Sequence, residues 1–458
     1  MSAAAGRAGA GRARGGQASA ASQAAASQAA SATTAQAGMA APAGPAGPQR
    51  AAAFSRARAR APRAGLLDRP LTSYYLVLGI TVLLLALGLI MVLSTSSADA
   101  LDSGGAPYAG FQKQLVGVVV GLPMMWIAAR SSPKIFRAAA YPLIIVSIVG
   151  LVAVLSIGRT VDGAERWIQV AGFQLQPSEF AKLAFVLWGA DLLARKEKLG
   201  QLTDWRQLLI PLMPGASILC ILVMLGDDLG TTFLLLVIFL SLLWVIGTPG
   251  RLFIGMLGLL VFIMVILIIV APYRLKRITG FLNPQAQPSS AGWQSIQGKY
   301  AVGSGGLFGV GLGASRQKWG WVPNSTTDFI FAILGEELGL IGTMCVAFLY
   351  GGLAYAGLRI ARRVPDTFMR LAAAAATAWI VIQALVNIGA VIGLLPITGV
   401  PLPLVSAGLS SLLVTMAALG MLMSFAKREP GARQALAAAG PGVPLRILSW
   451  LGLAGRRR

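Results

Sequence analysis

The 458-residue sequence contains no histidine and two cysteines, so its chemistry has to be built from carboxylates, amines, guanidinium groups and hydroxyls. A Ser-His-Asp triad, a histidine-ligated metal and an imidazole proton switch are excluded. Cys220 and Cys345 both fall inside apolar runs and are not read as a disulfide framework. An ionisable side chain in apolar surroundings is costly unless paired or solvated, which makes each one a functional candidate. Asp328 is the foremost of these. It lies in Thr326-Thr327-Asp328-Phe329-Ile330-Phe331-Ala332, with Glu336-Glu337 following. An acid in such a run has a raised proton affinity, which suits a general base or acid. A helix also starts here and Asp is a favoured N-cap, so residue types alone leave both roles open.

Glu179 and Lys182 stand three apart and share a helix face, either as an ion pair holding helices together or as a charged site. Asp191 is placed at a membrane interface, and Asp227 and Asp228, in a tight turn, are read as solvated carboxylates. The stretch Gly303-Ser304-Gly305-Gly306-Leu307-Phe308-Gly309-Val310-Gly311-Leu312-Gly313 is a glycine-rich loop that leads to Arg316, Gln317 and Lys318. Flexible backbone beside two cations suits the phosphate of a lipid head group, and a merely flexible loop has the same composition. No nucleotide fingerprint is present: five residues, not four, separate Gly292 from Gly298-Lys299, Tyr300 follows, and no G-x-G-x-x-G spacing occurs. Trp167, next to Arg166, is either an interfacial anchor or a platform for a sugar ring.

The elements that must position these groups belong to a membrane protein. Hydrophobic residues make up 56% of the chain and charged ones 12%, which excludes a soluble globular domain. The formal charge of +22 does not point to nucleic acid, since residues 1–70 hold nine Arg and one Asp, and residues 427–458 hold seven basic residues and one Glu. We expect an all-α polytopic fold with about ten transmembrane helices, near 74–95, 111–129, 138–157, 179–194, 208–225, 230–247, 252–271, 338–358, 371–394 and 408–426. Arg130, Lys134, Arg137, Arg195, Lys196, Lys198, Arg206, Arg251, Arg359, Arg362, Arg363 and Arg370 all fall on the side of the N-terminus. The short loops opposite contain only Lys113, Arg159 and Arg166. The positive-inside rule then puts both termini in the cytoplasm and the long loop 272–337, between spans 7 and 8, outside. Residues 1–70 form an expected disordered basic tail, 71–427 the transmembrane domain, and 428–458 a second basic tail with a stretch at Leu445–Leu453 suited to the inner leaflet. The first apolar run, from Tyr74, is long enough to span, so it is not read as a secretory signal. Gly117 and Gly121 form a small-xxx-small pair expected to let helices approach closely.

At these residues the sequence resembles the SEDS family of peptidoglycan polymerases over about residues 72–428, and its division branch (FtsW) more than its elongation branch (RodA). The resemblance rests on Arg166-Trp167-Ile168, on Gln176-Pro177-Ser178-Glu179-Phe180-Ala181-Lys182, on the segment from Gln294 to Lys318, on Thr327 to Glu337, and on Asn387-Ile388-Gly389 through Gly399-Val400-Pro401-Leu402-Pro403-Leu404. Two departures are present. Thr326 stands where a His commonly precedes the Thr-Asp pair, and Gly408-Leu409-Ser410-Ser411 replaces a Gly-Gly-Ser-Ser pattern.

The resemblance implies a glycosyltransferase that extends glycan strands from lipid II, an undecaprenyl-pyrophosphate disaccharide-pentapeptide. It would act on the outer face of the bacterial cytoplasmic membrane at the division septum, with Asp328 as the essential catalytic residue. The implied substrate-binding set is Arg166, Trp167, Gln176, Glu179, Lys182, Gln294, Ser304, Gly305, Gly306, Arg316, Gln317, Lys318, Thr327, Glu336, Glu337, Ser410 and Ser411. Arg166, Lys182, Arg316 and Lys318 would neutralise the pyrophosphate, whose departure supplies the driving force without a nucleotide or organic cofactor. A divalent cation such as Mg2+ is compatible with that pyrophosphate, and no protein metal site is assigned. Implied partners are a class B penicillin-binding protein and other divisome membrane proteins, with no nucleic acid. A lipid II flippase and a non-catalytic divisome scaffold remain the alternatives. The charges clustered at the outer end of the bundle favour a polymerase over a flippase.

Overall fold

The computed structural model describes residues 71–432 and 434, apart from 103, 105, 107, 162–163, 171, 201–204 and 287–290. The expected tails at 1–70 and, for the most part, at 428–458 lie outside the described residues. Each long apolar run becomes a helix, since a backbone away from water has to satisfy its own hydrogen bonds. In chain order these are α1 (Thr72–Asp102), α2 (Ala109–Arg130), α3 (Pro133–Ile157), α4 (Pro177–Lys198), α5 (Trp205–Leu225), α6 (Leu229–Ile246) and α7 (Gly250–Val270). After them come α8 (Pro272–Leu282), α9 (Ala291–Ser304), α10 (Ile330–Arg363), α11 (Thr367–Val391) and α12 (Leu409–Ala426).

Eight of the described helices are long and apolar enough to cross a membrane, against the ten expected. The two that fall short are the fourth and fifth. Helix α4 contains Glu179, Lys182 and Asp191 within its length, and the apolar part of α5, Leu209–Leu225, is shorter than the rest. The all-α expectation also needs correction. Between α3 and α4 the chain forms a three-stranded antiparallel sheet, β1 (Arg159–Val161), β2 (Ala164–Val170) and β3 (Phe173–Leu175), in the order β1-β2-β3. Its β-branched and aromatic content at Thr160, Val161, Trp167, Ile168, Val170 and Phe173 favours strands. The expected loop 272–337 is likewise partly helical, as α8, α9 and the first part of α10.

Helix α4 packs on α3, α6 and α11, and α10 on α1, α9 and α11. Pro177 in its first turn, Glu179 behind it, and Arg195, Lys196 and Lys198 in its last turn fit α4 to its own dipole. Asp191 was expected at an interface, yet it is buried, and accepts from Arg195 Nε at 2.7 Å with Arg137 Nε at 3.8 Å. Arg137 also grips both oxygens of Asp366, so this end of the bundle is tied by mutual ion pairs. The packing expectation for Gly117 and Gly121 holds: a Cβ at Gly117 would lie 3.0 Å from Leu409 and Leu412, and one at Gly121 would collide with Met416. Helices α2 and α12 therefore meet at near-backbone distance.

Candidate functional site

Asp328 lies in a run of turns just before α10 and is half-buried. Phe329, not Asp328, occupies the N-cap position of α10, and no side chain caps it. The backbone of Asp328 is held by α11 and the loop that follows it. Asn387 of α11 donates from Nδ2 to the carbonyl of Asp328 at 2.7 Å and to that of Val400 at 2.9 Å. Ser406 Oγ donates to the carbonyl of Thr327 at 2.6 Å, and Ala407 N to that of Thr326 at 3.0 Å. The loop between α11 and α12 is thus stitched to the Thr326-Thr327-Asp328 segment along its length. Gly399 lies in this loop with φ 73°, a conformation that favours glycine. A Cβ there would sit 3.5 Å from Asp328 Oδ2 and 3.7 Å from Arg277 Nη1, so the carboxylate and the guanidinium converge on the face of Gly399.

From Arg277 a cavity of about 220 Å³ opens between α6, α7, α8 and the loop after α11. Its polar wall holds Arg166, Arg274, Arg277 and Asp227, and its apolar wall includes Phe233, Met264, Ile268 and Ile397. Two of the arginines are fixed by the turn between α5 and α6. Arg166 donates to the carbonyls of Gly226 at 3.3 Å and Asp227 at 2.5 Å, with Asp228 Oδ1 at 4.0 Å. Arg274 Nη2 bonds Asp227 Oδ1 at 2.8 Å. Asp227 is solvated in part, as expected, but Asp228 is buried. It caps α6 by accepting from Thr231 N, and also takes Gln176 Nε2 at 2.9 Å and Thr231 Oγ1 at 2.7 Å. Asp228 was expected to be solvated, and Arg274 and Arg277 were given no role from the sequence. A signal is present in the i, i+3 spacing of the two arginines, which puts them on one helical face.

The remaining candidates fall into separate places. Gln176 and Ser410 lie one layer behind the cavity, with Gln176 N donating to Ser410 Oγ at 2.9 Å and Ser411 buried nearby. Trp167 follows Arg166 on β2, where the register with β1 shifts, and it is not part of the cavity wall. Lys182 is fully buried, 2.8 Å from Glu179 Oε1 and 3.0 Å from Gln383 Oε1, with the Trp379 ring below its ammonium. Its link to the loop is indirect, through Gln383 Nε2 on the carbonyl of Pro401. Glu336 accepts from Ser315 Oγ and from the backbone of Arg316 and Gln317, and Lys318 Nζ bonds Glu337, Ser94 and the carbonyl of Gly313. Arg316 is exposed, Gln294 Nε2 donates to the carbonyl of Pro323, Ser304 Oγ to that of Ala301, and Thr327 Oγ1 to that of Asn324. Gly305 is buried against Gly335, and Gly306 is exposed. Of Arg166, Lys182, Arg316 and Lys318, Arg166 lines this cavity, together with Arg274 and Arg277.

Residues 74–430 match the model of the FtsW/RodA/SpoVE family, described as cell cycle proteins. The chain belongs to that family. Among its FtsW/RodA/SpoVE relatives, the probable peptidoglycan glycosyltransferase FtsW of Mycobacterium tuberculosis is 43% identical over 394 residues, covering 86% of this chain and 75% of the relative. The stage V sporulation protein E of Bacillus subtilis is 38% identical over 352 residues, covering 76% of this chain and 95% of its own length. Two solved structures share the fold. One is of a peptidoglycan synthase complex that coordinates polymerization and crosslinking, matched with TM-score 0.60 and 26% identity over 77% of this chain and 96% of that one. The other is the rod shape determining protein RodA of Thermus thermophilus, with TM-score 0.55, 26% identity and the same coverage.

Proposed function

We propose that the chain is a peptidoglycan glycosyltransferase that polymerises lipid II at the outer face of the bacterial cytoplasmic membrane during septal wall synthesis. The observation that carries this reading is the convergence of Asp328 and Arg277 on Gly399 beside a cavity that is cationic on one wall and apolar on the other. Guanidinium forks match phosphate oxygens bidentately, and the apolar wall suits the first isoprene units of a polyprenyl chain. In this reading the Asp328 carboxylate takes the proton of an acceptor sugar hydroxyl. The resulting oxygen attacks the anomeric carbon and the bond to the pyrophosphate breaks with inversion, leaving the lipid pyrophosphate neutralised by Arg166, Arg274 and Arg277. A divalent cation such as Mg2+ would be held mainly by phosphate oxygens and water. The naming of relatives as probable peptidoglycan glycosyltransferases supports the same reading. The proposal includes ten crossings with both termini cytoplasmic, and a class B penicillin-binding protein and other divisome proteins as membrane partners.

The test uses purified protein, lipid II and the transpeptidase partner. Asp328→Asn should abolish polymer, because an amide keeps the shape but not the basicity of the carboxylate. Polymer at near the parental rate from a folded Asn variant would remove the base assignment and favour a flippase or scaffold.

A further inference from the structure

The glycine-rich segment is spliced into a break in α10. Gly339 leaves the helix with φ 66° and ψ −163°, and the ladder bonds that would join Leu340 and Ile341 to Glu336 and Glu337 are absent. The loop takes over both sides of that gap. Val310 N donates to the carbonyl of Glu336 at 2.9 Å and Gly311 N to that of Glu337 at 3.1 Å, while Leu340 N and Ile341 N donate to the carbonyls of Gly306 and Leu307 at 2.9 and 3.2 Å. A Cβ on Gly309 or on Gly339 would strike the opposing backbone, so both positions need glycine. Ion pairing of Lys318 with Glu337 at 3.2 Å, and the bond from Ser315 to Glu336, pin the far end of the loop.

Four hydrogen bonds with the broken helix pair this backbone inside the protein, as irregular chain near membrane depth requires of its polar groups. The side chains it carries are apolar and outward: Leu307 is 62% exposed, Phe308 79% and Leu312 59%. No charged residue occurs from Gly303 to Ser315. Their depth follows from α10. At ~1.5 Å per residue, Leu340 lies about 33 Å along the axis from Arg362, roughly the thickness of the hydrocarbon core. The splice holds Leu307 and Phe308 at that level. There they continue the exposed apolar face of Leu340, Ile341, Met344 and Phe348, and Trp319 and Trp321 are exposed on the segment that follows, residues suited to the headgroup boundary.

We infer that the loop 305–313 is a membrane anchor whose Leu307, Phe308 and Leu312 side chains enter the acyl–headgroup boundary of the leaflet opposite Arg362, the outer leaflet in the orientation proposed above. The occupant is bilayer lipid. A protein partner would find no hydrogen-bonding side chain on this tip, whereas lipid requires none.

The inference is tested in lipid nanodiscs of phosphatidylethanolamine and phosphatidylglycerol. An environment-sensitive fluorophore is placed on Phe308→Cys, and separately on Leu312→Cys, in full-length protein carrying Cys220→Ala and Cys345→Ala. Lipid spin-labelled near the headgroup should quench the fluorophore by about twofold or more while aqueous iodide quenches weakly, as for a side chain lying within the boundary. Quenching by iodide but not by lipid would put the loop in water. Protection from both would put it against protein, such as a second copy. Either result overturns the anchor. The second position keeps the question open if one variant does not fold, and neither measurement depends on polymerase activity.

Discussion

Asn387 on α11 donates from one amide nitrogen to the backbone carbonyls of both Asp328 and Val400, at 2.7 and 2.9 Å. One buried side chain therefore sets the spacing between the acid-bearing segment and the loop that presents Gly399. Asn387→Leu leaves two carbonyls without this donor, each costing about 1–3 kcal/mol if not rehydrated. The expected outcome is a lower melting temperature in detergent and a loss of polymerisation larger than the loss of folded protein. Parental turnover from the folded variant would show that this clamp does not position Asp328.

The arginines of the cavity should separate by what holds them. Asp227 is about half-exposed in its pair with Arg274, and such a pair contributes only about 0–1 kcal/mol. Asp227→Asn should leave the melting temperature nearly unchanged. Arg277→Gln and Arg274→Gln should each weaken lipid II use by about tenfold or more through loss of a charge-assisted phosphate contact. Initial rates against lipid II concentration check this, and an unchanged apparent KM would place the pyrophosphate elsewhere.

Lys182 and Glu179 form a pair shielded from solvent, so removing one partner strands a buried charge. Lys182→Met alone should cost about 3–5 kcal/mol, and the double change Lys182→Met with Glu179→Leu should recover most of it. Chemical denaturation in mild detergent measures both. A single variant as stable as the parent would show that water reaches this site.

Orientation is checked by impermeant thiol labelling of intact cells in the same cysteine-free background. Exposed Gln285→Cys, between α8 and α9, should react. Exposed Arg251→Cys, at the start of α7, should not, because short basic loops remain inside. Reversed labelling would invert the proposed topology.

The membrane class, the extent of most helices and the candidacy of Asp328 were legible in the sequence. These are consequences of composition and local periodicity: a long apolar run has to become a helix, and an acid in such a run is conspicuous wherever its neighbours lie. The sequence also placed the start of the eighth span at 338, next to the break that Gly339 makes. Which cations stand near Asp328 is a matter of tertiary structure. Lys182 is bonded to Glu179 and Gln383, and Lys318 to Glu337 and Ser94. Arg277 is brought by the fold of α8 to the same glycine as the carboxylate, across a chain separation of more than a hundred residues between Arg277 and Gly399. The burial of Asp228, the sheet between α3 and α4 and the splice of the glycine-rich loop into α10 were equally illegible. Each depends on backbone groups meeting partners far away in sequence, and a residue's own type and spacing do not encode where those partners stand.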